Sequence, residues 1–416
     1  MADGELTALA TGSLVDVEAE EVMRDQVVLI RGERILEVRS SSEGIPDGAS
    51  VVDLRGDTVI PGMIDCHAHM IGELDTGQGY AGLVTTTAAR EAMTGVRNAR
   101  DTLLAGFTTV RDVGTFHAFT DCALRDAIDG GWVAGPRMLC SGAYVTIPSG
   151  GGDVTGLAPG VDAVLPHELR FGVSRSVDEV RDAVRRILHG GAEMIKVIAT
   201  GAVLTEGTSP GAPEFSEDEI RAAVDEAALY DAFVAAHAHG AEGIKRAIRA
   251  GVRSIEHGSL MDDESIDMMV EHGTYLVADI YCGDWIEEQG RREGWSPDVL
   301  RKNEETTEAQ RDGFRKAVAA GVKIAYGTDS GVYPHAFVAR QLPYMVRYGM
   351  TSMQGLRAAT IVAAGLMGWE DRVGSMAPGK FADIVAVSGD PLKSNLEELA
   401  HPTFVMKGGK IHKQPP

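Results

Sequence analysis

The sequence predicts an α/β protein, a (β/α)8 TIM-like barrel with a small β-sandwich built from both chain ends. Three observations predict it. Between Thr58 and about Leu366, short apolar runs alternate with amphipathic helical stretches until eight runs have passed. The segments on either side read as strands and turns. Most of the helical stretches stop at a glycine just ahead of the next apolar run. Strand–helix alternation builds a parallel sheet, and eight units close it into a barrel.

Residues 1–57 are the N-terminal part of the sandwich. Leu6–Leu14, Gln26–Val38 and Ala49–Leu54 are β-rich and alternate, with turns at Arg31-Gly32-Glu33 and Pro46-Asp47-Gly48. Residues 58–365 are the barrel. Its runs are Val59–Ile64, Thr108–Val113, Arg137–Ala143, Met194–Ala199, Phe233–Ala236, Ser254–Ile255, Tyr275–Ile280 and Lys323–Tyr326. Helical stretches between them include Thr85–Ala105, Val177–His189, Ser216–Tyr230, Ala241–Ala250, Asp262–His272 and Val299–Ala320. Ser216 with Glu219, and Thr351 with Gln354, have capping-box spacing. Gly106, Gly190, Gly251, Gly273 and Gly321 stand where helix C-caps are expected. Residues 366–416 are the C-terminal part of the sandwich, with strands Asp383–Val387 and Thr403–Met406 and a hairpin turn at Lys407–Lys410. The two strand-rich ends are expected to pair, because unpaired sheet edges invite aggregation. The longest irregular stretch, Thr146–Leu165, follows the third run and should overhang the active face.

Composition narrows the function classes. At −22, the net charge disfavours nucleic acid and anionic membranes as partners. Cys66, Cys122, Cys140 and Cys282 form no C-x-x-C pair and read as buried free thiols. No stretch offers 18 uninterrupted apolar residues, and Met1–Asp16 has no basic leader region, so a cytoplasmic location is expected.

The chemistry sits at the strand ends, the catalytic face of a β/α barrel. Run one ends in His67-Ala68-His69, and residues two apart on a strand point the same way, so two imidazoles can share one site. Lys196 lies within run four, His237 and His239 end run five, His257 ends run six and Asp329 follows run eight. Each alone has a bland explanation. Lys196 can snorkel, His257 can be a satisfied core histidine, and Asp329 can cap a helix. Five of eight ends carrying a ligand type, all at one mouth, point to a metal centre instead. Tyr281, Tyr333 and His335 follow runs seven and eight and are candidate substrate contacts. Asp279 reads first as a structural hydrogen-bonding group and second as a group to attract a basic side chain; His117, His167, His189, His272, His401 and His412 have no place in the centre.

The motifs that complete the picture are Pro61–His69, Gly106–Asp112, Ser254–Gly258, Gly327-Thr328-Asp329 and Gly374–Asp383. On these the whole chain resembles the amidohydrolase superfamily of metal-dependent hydrolases. Within it the chain is most similar to the branch of imidazolonepropionase-like dipeptidases and carboxypeptidases, with prolidases and ochratoxin-type amidases. The resemblance implies two divalent cations. His67 and His69 would hold one, His237 and His257 the other, and Lys196, carboxylated by CO2, would bridge them. Asp329 would touch the first metal and shuttle a proton, and His239 would polarise the substrate carbonyl or bind its carboxylate. Zinc suits the ligands first; manganese, cobalt and iron suit them too. Two cations acidify a shared water, giving hydroxide to attack a C–N bond. The substrate implied is a small amide, dipeptide-like first, with a carbamate, urea or N-acyl aromatic as the alternative. The second reading of Asp279, attracting a basic side chain, is as in an arginine or lysine carboxypeptidase. A metal-free ligand-binding barrel is the alternative of another class. Deaminases of the superfamily place a glutamate where this chain has Gly240. Relatives that cut dipeptides often carry a histidine where this chain has Gly151, which is expected to open space for a bulkier group. Barrels of this type often assemble, so a homo-oligomer is expected.

Overall fold

The computed structural model describes residues 5–72 and 80–414. Of Met1–Asp16, where the sequence shows no basic leader region, Met1–Gly4 lie outside the described residues. Near the N-terminus run β1 (Leu6–Asp16), β2 (Glu21–Arg31), β3 (Arg34–Ser40) and β4 (Ser50–Pro61). The parallel strands follow: β5 (Met63–Ala68), β6 (Phe107–Asp112), β7 (Arg137–Cys140), β8 (Tyr144–Val145), β9 (Ile195–Ile198), β10 (Val234–Gly240), β11 (Ser254–Leu260) and β12 (Tyr275–Val277). Near the C-terminus lie β13 (Ile384–Ser388), β14 (Phe404–Lys407) and β15 (Lys410–Lys413).

Strands from both chain ends share one seven-stranded sheet in the order β15-β14-β13-β4-β1-β2-β3. Its centre is the antiparallel pairing of β13 with β4, Ile384 opposite Pro61 and Val385 opposite Ile60. Leu9, Leu14, Val28, Ile30, Ile384 and Phe404 pack into a core belonging to this end unit.

The barrel strands fall into two parallel arcs, β5-β6-β7 and β12-β11-β10-β9-β8. One junction is the bond from Glu193 N to Cys140 O, 2.9 Å. The other is the eighth run. Lys323–Tyr326 is no regular strand, yet Ile324 bridges Leu276 in parallel and Cys66 N donates to Tyr326 O at 2.8 Å. The third run breaks at Gly142, whose φ of 71° turns the chain into the short β8.

Two local expectations change. The stretch Val59–Ile64 is not one barrel strand. Val59–Pro61 finish β4 of the end sheet, and the barrel strand begins at Met63. Gly62 is the crossing point. Its N donates to Asp383 O at 2.8 Å, and a Cβ there would lie 2.2 Å from Thr108 Oγ1. The second change is at Gly190, which stays right-handed, while Gly191 takes the positive φ of 104°. Gly251, Gly273 and Gly321 are left-handed C-caps as expected. Both capping boxes form.

Gly62→Ala should therefore destabilise the protein by about 1–3 kcal/mol, the usual cost of forcing atoms into a filled site. Urea unfolding of the two proteins under one condition measures it.

Candidate metal centre

β5 brings His67 to the barrel mouth, and His69 follows where the strand ends. β9 supplies Lys196, β10 supplies His237 and His239, and β11 supplies His257. Asp329 hangs from the turn after the eighth run, its N bonded to His67 O at 2.7 Å. All seven face one cavity of about 160 Å³. Ring centroids are 4.8 Å apart for His67 and His257, 4.6 Å for His237 and His257, and 4.7 Å for His239 and His257. Asp329 Oδ1 lies 3.5 Å from His67 Nε2 and 3.3 Å from His69 Nε2. His257 and Asp329 hold positive φ, 69° and 57°. Backbone of this kind costs about 1–3 kcal/mol per residue and persists where packing enforces it, often at functional sites.

Each imidazole is anchored through one ring nitrogen. His67 Nδ1 lies 2.9 Å from Glu256 Oε2, His69 Nδ1 2.8 Å from Gly114 O, His239 Nδ1 2.8 Å from Ser259 Oγ, and His257 Nδ1 3.0 Å from Asp279 Oδ1. His237 is the exception, with Nε2 3.3 Å from Gly201 O. Four rings therefore present Nε2 to the centre, and His237 presents Nδ1. His67 Nε2 is buried without a hydrogen-bond partner. Lone-pair nitrogens held this way by outer partners are what a metal takes.

The electrostatics agree with that use. Burial pushes the His67 pKa down, holds that of His237 well below normal and takes His239 to about 3, so these rings are neutral. Burial also lowers Lys196 to about 8, against the pull of Glu256. In His257 burial acts downward, but the Asp279 carboxylate more than offsets it and the pKa rises. Asp329 is half-buried, which acts upward, yet the His67 and His69 rings beside it hold its carboxyl well below the usual range. Three neutral imidazoles, an amine with a depressed pKa and an ionised carboxylate are a set that fits divalent cations.

The three substrate-contact candidates do not line the cavity. Tyr281 and Tyr333 pack edge to face, centroids 5.2 Å apart, in a cluster with Ile286 and Trp295. Both are apolar enough over most of their surface for burial to win. His335 sits behind the centre, Nδ1 3.1 Å from Thr102 Oγ1 and Nε2 3.2 Å from His69 O. It supports the His69 backbone instead of facing substrate. Gly151 lines the cavity, and a Cβ there would lie 3.0 Å from Thr200 O, so the backbone itself is packed tightly at this point. The loop has settled onto the turn after β9. Asp279 makes the structural hydrogen bond expected of it.

Several contributors were missed. Glu256 and Arg111 form a buried pair beneath His67, with Arg111 Nη2 2.7 and 2.8 Å from the two carboxylate oxygens. Their signal was an arginine and a glutamate inside apolar strands. Tyr144 lines the cavity with its hydroxyl 3.1 Å from His69 Nδ1. Asn303, Thr306, Thr307 and Gln310 line it from the helix Pro297–Ala320, where a polar stripe reads as a solvent face.

The sequence profile of the amidohydrolase family matches residues 58–412. Ochratoxinase of Aspergillus niger is 30% identical over 431 residues, covering 99% of this chain and 88% of that protein. A crystal structure of a Xaa-Pro dipeptidase with bound methionine superposes with a TM-score of 0.91 at 36% identity, covering 98% of this chain and 100% of the other. A prolidase complexed with N-methylphosphonate-L-proline gives 0.89 at 32% identity, with coverage of 98% and 100%. With the family's profile spanning the barrel and its close structural relatives spanning the chain, this protein belongs to the amidohydrolase family and is a hydrolase acting on C–N bonds.

Proposed function

We propose that this chain is a dinuclear metal-dependent hydrolase of small amides, with dipeptide-like substrates first. One observation carries the reading: five histidines, Lys196 and Asp329 converge on a single cavity, with each imidazole tied back through one nitrogen. His67 and His69 would hold one cation through Nε2. His237 through Nδ1 and His257 through Nε2 would hold the second. Lys196 would bridge the two as a carbamate, and Asp329 would complete the first site. When bound, the cations supply Lewis acidity toward the scissile carbonyl and acidify a water at neutral pH. Zinc is the first choice for these ligands.

The residues of the chain divide the remaining work. The Lys196 amine, depressed to about 8 by burial, is available as free base to take up CO2 and lose a proton. Asp329, held ionised by His67 and His69, accepts a proton during attack and returns it to the leaving nitrogen. His239, neutral and fixed by Ser259, would face the carbonyl from the β10 side. Prolidase and Xaa-Pro dipeptidase relatives favour a dipeptide. The apolar wall of Ile71, Leu83, Phe116 and Ile286 favours a second reading, an N-acyl aromatic, carbamate or urea. Turnover of a dipeptide panel beside an anilide and carbamate panel separates them. Less than one metal per chain after growth with zinc or manganese would instead favour a metal-free binding barrel. Self-assembly and a cytoplasmic setting belong to the same proposal.

Lys196→Ala should lose both metal and turnover together; full activity in that variant rules out the bridging role. Asp329→Asn should keep part of its metal while kcat falls by about 10²–10⁴, the usual worth of a positioned acid–base group. Because the free amine is the form that reacts with CO2, its fraction grows as pH rises through about 8. At equal dissolved CO2, metal-free protein should therefore take up zinc faster at about pH 9 than at about pH 7. Lys196→Ala should lose that dependence, as read by metal analysis after gel filtration.

A further inference from the structure

The cavity wall holds a carboxylate that the proposed reaction does not use. Glu91 lies in the first turn of the helix Ala88–Leu104 and is 7% exposed, on the cavity wall. Its one ionic partner among the described residues is His117, whose Nε2 is 3.7 Å away. That exceeds hydrogen-bond length, and His117 Nε2 is itself a buried nitrogen without a hydrogen-bond partner. The other His117 nitrogen faces Glu168 at 3.3 Å. A carboxylate kept only for structure would be expected to close on its partner, because an unsatisfied buried polar group is costly.

The surroundings suit a cation. Phe116 packs tilted against Tyr80, centroids 4.9 Å apart, and edge to face against Tyr144 at 5.1 Å, and all three rings line the same cavity as Glu91. Aromatic faces attract ammonium and guanidinium groups, most strongly where water is excluded. Among the described lining residues there is no arginine, and the single lysine is Lys196 at the centre. The wall therefore offers no free cation to receive a substrate carboxylate. Burial raises the Glu91 pKa against the pull of His117, so an arriving positive charge would be bound by a group that lacks full compensation.

We propose that Glu91 is a specificity-determining residue, receiving a cationic group of the amide substrate against the ring collar of Tyr80, Phe116 and Tyr144. This rests on the amide-hydrolase reading and narrows its substrate class.

Three substrate pairs differing only in one charge test it on the metal-loaded full chain: alanyl-leucine against propionyl-leucine, lysyl-leucine against norleucyl-leucine, and leucyl-lysine against leucyl-norleucine. In at least one pair the cationic member should have a kcat/KM about tenfold or more higher, the range of a partly desolvated ion pair. Glu91→Gln, which keeps the shape and removes the charge, should abolish that preference and leave the neutral member and the metal content unchanged. Equal or better turnover of the neutral member in all three pairs overturns the inference, as does a preference that survives Glu91→Gln. No turnover of any member by fully loaded protein counts against the dipeptide reading. Calorimetric binding of the same pairs to the metal-free chain then decides the role of Glu91. Tighter binding of a cationic member, lost in Glu91→Gln, supports it; no difference overturns it. The wild-type comparison stands even where the variant fails to fold.

Discussion

The arrangement of the centre depends on a charge pair taken wholly out of water. Arg111 on β6 and Glu256 on β11 are both fully buried. Arg111 also donates to Ser254 Oγ at 2.9 Å and to Cys66 O, so the pair joins three strands. Burial would push the Glu256 carboxyl up, but Arg111 beside it holds it well below the usual range. Removing one member of such a pair costs about 3–5 kcal/mol, because the other charge stays buried alone. The same carboxylate receives His67 Nδ1 and so fixes which nitrogen of that ring faces the cavity. Fold stability and ligand orientation thus share one interaction.

The roof of the cavity is stitched by a different device. Lys302, fully buried, donates to the carbonyls of Thr205 at 2.7 Å and Ala202 at 3.2 Å and pairs with Asp298 at 3.0 Å. Thr205 Oγ1 donates to Gly151 O at 2.6 Å and receives the Tyr80 hydroxyl at 2.6 Å. Loops after three barrel strands are thereby locked to one another and to the long helix Pro297–Ala320. Buried polar groups that satisfy each other in this way set a unique loop conformation, which a purely apolar roof would leave slack.

Much of the fold was legible because its signals are local. Apolar runs, helix periods and capping boxes act within a few residues, and the structure keeps the helices Val177–His189 and Ala241–Ala250 at the expected bounds. The metal-type residues stood out for the same reason, as polar side chains ending apolar strands. What stayed hidden was long-range. Glu91 and Gln310 sit on helices whose polar stripes look solvent-exposed until the barrel mouth closes over them. Tyr281 and Tyr333 look available in the chain, yet they bury each other.

The sequence by itself determined the barrel, the pairing of the two ends and the identity of the metal-type side chains. Periodicity and residue chemistry are properties of the chain, whatever its path. Only the tertiary structure decided that Pro61 and Met63 belong to different sheets, which nitrogen of each imidazole is free, and which side chains wall the cavity. Those outcomes depend on contacts between residues far apart in the chain, such as Gly62 with Thr108 and Asp383, or His67 with Glu256. No local pattern encodes a contact whose partner is set by how the strands close into a ring.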